Sequence, residues 1–309
     1  MKQCFWMLFI MLLVPFHALG AVQEDKALVD QGSFMLNDSR QAMGVDRRIR
    51  FLVLHYTALN FPESLNVLTT EQVSAHYLVP AYPPRDHHSG KPVAWQLVPE
   101  HLRAWHAGVS SWRGRTNLND TSIGIEQVNP GFTSTLLGKI HWYPYTPQQI
   151  ELVTALAHKI IERYEIEPRN VVAHSDIAPQ RKEDPGPLFP WEHLAKQGIG
   201  AWPDVADVQY YLGKRRADRA VPVMPLLAKL SCYGYEITPD MTPEQQRRVI
   251  SAFQMHFRPS DIRGLPDAET EAIADALLVK YHKPEENKDV ELRMSESALN
   301  SVSAECDKL

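Results

Sequence analysis

The 309-residue sequence predicts an α/β or α+β domain over residues 45–203, followed by a small all-α, three-helix domain over residues 204–282. Up to Trp202, short apolar runs of strand length alternate with segments at helical spacing, the pattern of interleaved strands and helices. From Asp204 onward only helical patterns remain. The flanks are different again: residues 21–44 are polar and without period, and residues 283–309 are charged and polar, which predicts an extended lead-in and a disordered tail.

The elements run in order along the chain. Phe51-Leu52-Val53-Leu54-His55-Tyr56 reads as a buried strand, because no charge interrupts it from Phe51 to Asn60. Residues 62–70 suit a short helix. Ser74 to Val79 and Val93 to Val98 read as the next strands, separated by a loop with four prolines and Gly90. Ser122 to Val128 is a further strand. A long helix then starts with Thr146 as cap and Pro147 at its first position, and Ile150, Val153, Leu156, Ala157, Ile160 and Ile161 repeat at helical spacing up to Tyr164. Asn170 to Ala173 is the last strand, and Trp191 to Lys196 a short helix. In the C-terminal region, Val205 to Leu212 leads into helices at Val221 to Tyr233, Thr242 to Phe257 and Pro266 to Tyr281. Thr242, Pro243 and Gln245 give the third of these four a capping box.

The first twenty residues read as an export signal. Lys2 precedes an apolar run from Phe5 to Phe16, and Ala18-Leu19-Gly20 then offers a small-x-small cleavage site. The run is shorter than the ~20 residues of a membrane span. This predicts a periplasmic or secreted chain with no transmembrane helix in its mature form. No cysteine follows the run, which argues against a lipid-modified terminus, and Cys4 falls inside the segment to be removed. Cys232 and Cys306 remain, and because Cys306 lies in the polar tail a disulfide between them is disfavoured. The net charge of −5 gives no electrostatic case for nucleic acid. Seven Trp and eleven Tyr suit carbohydrate stacking, although aromatics fill cores as well.

The chemistry concentrates at strand ends. His55 sits near the exit of one strand, Glu126 near the end of another, and His174 directly after a third. Lys182 and Asp184 come next, on a proline-rich loop that runs to Pro187, stiff and with little secondary structure of its own. Two histidines and an aspartate with a fourth position open form a zinc set suited to hydrolysis. Glu126 would then be a general base, and Lys182 a cation placed for developing negative charge. Each residue also has a plain reading: a histidine after a strand is usually a satisfied polar group, Asp184 alone a loop residue, Lys182 alone a solvated charge. Glu126 inside an apolar strand is harder to set aside, because a buried carboxylate needs a partner or a role.

Taken in order, Val53-Leu54-His55-Tyr56-Thr57, Ser74 to Val79, Arg103-Ala104-Trp105-His106-Ala107-Gly108, Ser111-Trp112, Asn119 to Glu126 and the segment His174 to Pro187 resemble the zinc-dependent N-acetylmuramoyl-L-alanine amidases. This is the type-2 amidase family, which also includes the peptidoglycan recognition proteins. Within it the chain is most similar to the periplasmic branch that ends in a helical peptidoglycan-binding domain. The resemblance implies a mixed central sheet flanked by helices and one zinc ion per chain, held by His55, His174 and Asp184. It implies Glu126 as the catalytic carboxylate, Lys182 as the accompanying cation, and His76, Tyr77, His106 and Trp112 as substrate-groove residues. The implied substrate is peptidoglycan or its muropeptide fragments, cut between N-acetylmuramic acid and L-alanine. The implied C-terminal module rests on Val249 to Pro259, Gly264, Asp267 and Thr270. Two other readings are a wall-binding receptor without catalysis and a zinc peptidase, the latter lacking any His-Glu-x-x-His helix.

Overall fold

A computed structural model describes residues 28–135 and 138–281. The expected signal segment, the tail 283–309, Cys4 and Cys306 lie outside these residues. Contacts divide the chain at Asp46/Arg47. In the first unit the described residues 28–46 are exposed and carry one minimal hairpin, Val29–Asp30 against Met35–Leu36, where the sequence predicted an extended lead-in.

The second unit is built on a five-stranded sheet. Its strands are β1 (Phe51–Tyr56), β2 (Tyr77–Val79), β3 (Trp95–Gln96), β4 (Ser122–Gln127) and β5 (Val171–Ala173). The spatial order is β5-β1-β4-β2-β3, with the first four parallel and β3 an antiparallel edge. This is the mixed central sheet flanked by helices. β2 and β3 are shorter than the apolar runs that predicted them: the Ser74 amide bonds to the Trp105 carbonyl, and the Leu97 and Val98 amides both bond to the His76 carbonyl instead of continuing a ladder. Two hairpins were not predicted, Ser111–Trp112 with Arg115–Thr116 and Phe132–Ser134 with Ile140–Trp142. Their strands are two or three residues long and show no readable alternation.

The helices are α1 (Phe61–Leu68), α2 (Pro147–Tyr164), α3 (His174–Ile177), α4 (Trp191–Ala195), α5 (Val205–Leu212), α6 (Val223–Tyr233), α7 (Pro243–Phe257) and α8 (Ala268–Tyr281). The capping signals act as read. The Thr146 and Thr242 hydroxyls accept from the Gln149 and Gln245 amides, and the Gln245 side chain returns to the Thr242 amide.

A strand alternates its side chains between two faces, and here each face has its own cover. Leu52, Leu54, Ile123, Ile125, Val171 and Ala173 pack with Val153, Ala157 and Ile160 of α2. Phe51, Val53 and Val172 face the other way, into one cluster with Trp112, Ile177 and the helical region's Leu226, Leu230, Tyr233, Phe253, Phe257 and Leu277. The change of character at 203/204 is therefore no break in packing, and the helical region closes the second face of the sheet. No described helix is long and apolar enough to cross a membrane. Cys232 on α6 is disulfide-bonded.

Candidate metal centre and cleft

Register brings the predicted residues together. In the parallel pair β1/β4, His55 stands opposite Glu126, and in β5/β1, Ala173 stands opposite Leu54. One residue further, His174 comes level with His55. Three adjacent strands thus deliver His174, His55 and Glu126 in one row at their carboxyl ends, where open α/β sheets bind ligands. Period two puts Val53, His55, Gly124 and Glu126 on the face turned away from α2.

The segment after β5 differs from its expectation, since it begins with the helical turn α3 rather than a loop. The chain then folds back, so that the Ser175 amide donates to the Asp184 carbonyl at 3.0 Å. The Asp184–Pro185 bond is cis. Tyr145 donates its hydroxyl to the Pro185 carbonyl at 2.8 Å, and Gly186, at φ +79°, lies against the Trp142 ring, where a Cβ would stand 2.8 Å from ring carbon.

This folding brings Asp184 Oδ2 to 3.0 Å from both His55 Nδ1 and His174 Nδ1, which are 2.9 Å apart. Hydrogen bonds behind the rings decide what those nitrogens carry. The Ser122 hydroxyl donates its only proton to the Leu118 carbonyl at 2.6 Å, so at its 3.2 Å contact with His106 it accepts from Nε2–H. A neutral His106 then has a bare Nδ1, which accepts from His55 Nε2–H at 3.0 Å. Burial, followed by its histidine neighbours, holds His106 well below the usual imidazole range. Burial, followed by His174, pushes His55 down to about 4. Both rings are therefore neutral, and His55 Nδ1 is bare. On the other side His174 Nε2 faces the Ala107 carbonyl at 3.1 Å, and the tautomer that donates there presents a bare Nδ1 to the other two groups. Two imidazole nitrogens and a carboxylate oxygen, all buried, converge within 3.0 Å. A cation satisfies such a set, and among the described residues these three form the one group with metal-ligand geometry.

Glu126 stands beside it. Its Oε2 is buried with no hydrogen-bond partner among the described residues. Burial, followed by the Asp184 charge, raises its carboxyl to about 8, while Lys182 acts in the opposite sense. Lys182 is half-buried and lines the same cleft, of about 990 Å³, as His174, Asp184 and Glu126.

The four expected groove residues separate. His106 does line the cleft, but both of its ring nitrogens are engaged, one in orienting His55. Gly124 lies beneath this ring, where a Cβ would stand 2.5 Å from it. The other three face elsewhere. His76 is fully buried, accepting from the Gly124 amide and facing the Leu102 carbonyl. Tyr77 donates to Glu100 at 2.6 Å. The Trp112 indole donates to the Arg169 carbonyl at 3.0 Å and packs edge-on against Tyr233 and Tyr235. These are packing and bracing positions, since each polar atom is already satisfied away from the cleft. Sequence reasoning missed Trp142 and the cleft-facing side of α7, including Arg247 and Arg248. Arginines on the polar face of an amphipathic helix look like any solvated charge, so no signal in the sequence marked them.

Residues 45–187 match the N-acetylmuramoyl-L-alanine amidase family. The chain is 54% identical to the N-acetylmuramoyl-L-alanine amidase AmiD of Escherichia coli (strain K12) over 281 residues, which is 91% of this chain and 99% of that protein. Among solved structures, the complex of AmiD from E. coli with the substrate anhydro-N-acetylmuramic acid-L-Ala-D-gamma-Glu-L-Lys superposes with a TM-score of 0.80 at 57% identity, over 82% of this chain and 98% of that one. The crystal structure of AmpDh3 from Pseudomonas aeruginosa in complex with anhydromuramic pentapeptide gives a TM-score of 0.71 at 43% identity, over 82% and 98%.

Proposed function

Because this chain belongs to the N-acetylmuramoyl-L-alanine amidase family, we propose that it hydrolyses the amide between N-acetylmuramic acid and L-alanine in muropeptides, with one zinc ion held by His55, His174 and Asp184. The observation that carries this reading is the convergence of two imidazole nitrogens and a carboxylate oxygen beside an unpartnered buried carboxylate. Two nitrogens and one oxygen with an open fourth position suit zinc, the catalytic donor set of hydrolases. Zinc bound there supplies Lewis acidity, of the kind that brings the pKa of water to ~7.

The protein's own groups do the rest. Glu126 takes the proton of the attacking water and later returns it to the leaving amine. Lys182 lines the same cleft, and its ammonium would stabilise the negative charge that the carbonyl oxygen gains. His106, between His55 and Ser122, keeps the His55 proton on Nε2 and so keeps Nδ1 available. Export by the N-terminal signal to the periplasm fits a substrate in the wall, and the helical region is read as a wall-binding module.

The test is Glu126→Ala. It is expected to retain one zinc per chain by elemental analysis and to lose turnover by at least ~10². Products of the wild type should carry free lactyl-muramic ends. Shortened stem peptides would instead indicate a peptidase, and turnover within a few-fold of wild type would remove Glu126 from the mechanism.

A further inference from the structure

The cleft continues past the metal centre to the helical region. Its far wall is α7, where Glu244, Arg247, Arg248, Ser251 and Met255 recur at intervals of three and four residues and so occupy one helical face. The Ile262–Arg263 turn completes that wall, and Ser251 anchors it by donating to the Ile262 carbonyl at 2.7 Å. The ligand loop is joined to the same helix. Arg248 donates to the Gln180 carbonyl at 2.7 Å, and the Gln180 amide donates to the Gln245 carbonyl at 3.1 Å. Metal centre and helix therefore share one continuous cavity.

Three guanidinium groups line this end, and they are not equivalent. Arg263 is clamped by both oxygens of Asp261, at 2.8 and 2.6 Å. Arg248 is shared between Glu244 at 3.3 Å and the Gln180 carbonyl. Arg247 donates Nε–H to the Arg263 carbonyl at 2.7 Å, and among the described residues it has no carboxylate partner. That bond occupies Nε of this exposed side chain and leaves the two terminal nitrogens unused. The turn behind it is close-packed, since a Cβ on Gly264 would stand 2.3 Å from the Arg247 carbonyl. A planar fork with two free terminal nitrogens, carrying four N–H donors between them, matches a carboxylate.

We infer that Arg247 binds a free carboxylate of the stem peptide, which makes the helical region a wall of the substrate cleft as well as a separate binding module. The inference rests on the amidase reading. With the scissile amide at Glu126 and Lys182, we place the peptide arm beyond L-alanine at the α7 end of the cleft, because the guanidinium groups there suit an anionic arm. A glutamate linked through its γ-carboxyl keeps its α-carboxylate free, and the peptide ends in a second carboxylate, so that arm is anionic. Arg247 is thus a positioning and specificity residue that acts through the substrate's peptide arm.

The experiment compares kcat/KM for anhydro-muramoyl-L-Ala-γ-D-Glu-L-Lys with that for the same peptide in which both free carboxylates are carboxamides. Wild type is expected to favour the acid about tenfold, the value of one charge-assisted hydrogen bond. In R247Q this acid-to-amide ratio should fall to about one, and R247K, which keeps the charge, should retain part of it. An unchanged ratio in R247Q, or no acid preference in wild type, overturns the subsite while leaving the amidase reading intact. Failure of wild type to cleave either peptide overturns both.

Discussion

Glu126 holds a carboxylate where folding disfavours its charge, and a neutral isostere makes the size of that effect measurable. Take the metal-free protein, prepared by chelation, and its Glu126→Gln variant. The carboxyl is raised from 4.5 to about 8 in the folded chain, chiefly by burial and then by Asp184. Between those two values the folded chain holds a proton that the unfolded chain has already released, so stability falls as pH rises through the window and levels off above about 8. At 1.36 kcal/mol per unit the full shift corresponds to roughly 5 kcal/mol. Water at the cleft edge of Glu126 screens part of this, leaving about 3 kcal/mol. Glutamine carries no such penalty at any pH. The stability difference between variant and wild type, from urea denaturation, should therefore be small near pH 5 and grow by about 3 kcal/mol by pH 9. Other titrating groups are common to both proteins and cancel in the difference. A difference that stays flat from pH 5 to 9 would show that Glu126 is not desolvated and would refute the reasoning. With a divalent cation bound beside it the ionised form is favoured, so the pH-dependent gap should shrink on adding zinc.

Two further outcomes are expected. Asp184→Asn keeps the shape of the third ligand but removes its charge, so zinc affinity, measured by competition with a chromogenic chelator, should fall at least ~100-fold, and unchanged affinity would exclude Asp184 as a ligand. Trp112→Ala removes an indole from the cluster shared by the sheet and the helical region, and should cost about 3–5 kcal/mol in a single denaturation transition spanning both. A loss below 1 kcal/mol, or two separate transitions, would mean that the regions fold independently.

Much of this site was legible before any coordinates, for identifiable reasons. His55 and Glu126 lie in unbroken apolar runs, and β1, α2 and β5 have strong period or capping, so their ends were readable to within a residue. The order of motifs then implied His55, His174 and Asp184 as a ligand set, and these are the three that converge. Other features depend on contacts between distant segments, which the sequence does not encode locally. The tautomer chain from Leu118 through Ser122 and His106 to His55 is one example. It turns a residue read as a substrate contact into one that orients a ligand. His76, Tyr77 and Trp112 show the same limit: motif membership marks a residue as needed without saying whether it faces substrate or braces the wall. The cleft side of α7 was invisible because its arginines acquire meaning only when the helix packs against the ligand loop.

That packing also bears on how the metal centre keeps its shape. Asp176 lies two residues after His174 and is fully buried. One of its oxygens accepts from the Ala173 amide at 2.8 Å and from His256 Nδ1 at 2.6 Å, and the other from the Tyr235 hydroxyl at 2.5 Å. His256 belongs to α7 and is stacked between Trp191 and Phe257, at 3.8 and 3.9 Å, so its position is set by the helical core. The helical turn that opens with His174 is therefore fixed from behind by groups about 60 and 80 residues downstream, while Arg248 holds the loop that leads to Asp184. His174 and Asp184, the candidate ligand pair ten residues apart, gain their fixed separation from two anchors on the helical region, in addition to Pro179 between them. The sequence boundary at 203/204 thus separates two composition patterns, whereas the site's geometry belongs to both sides of it.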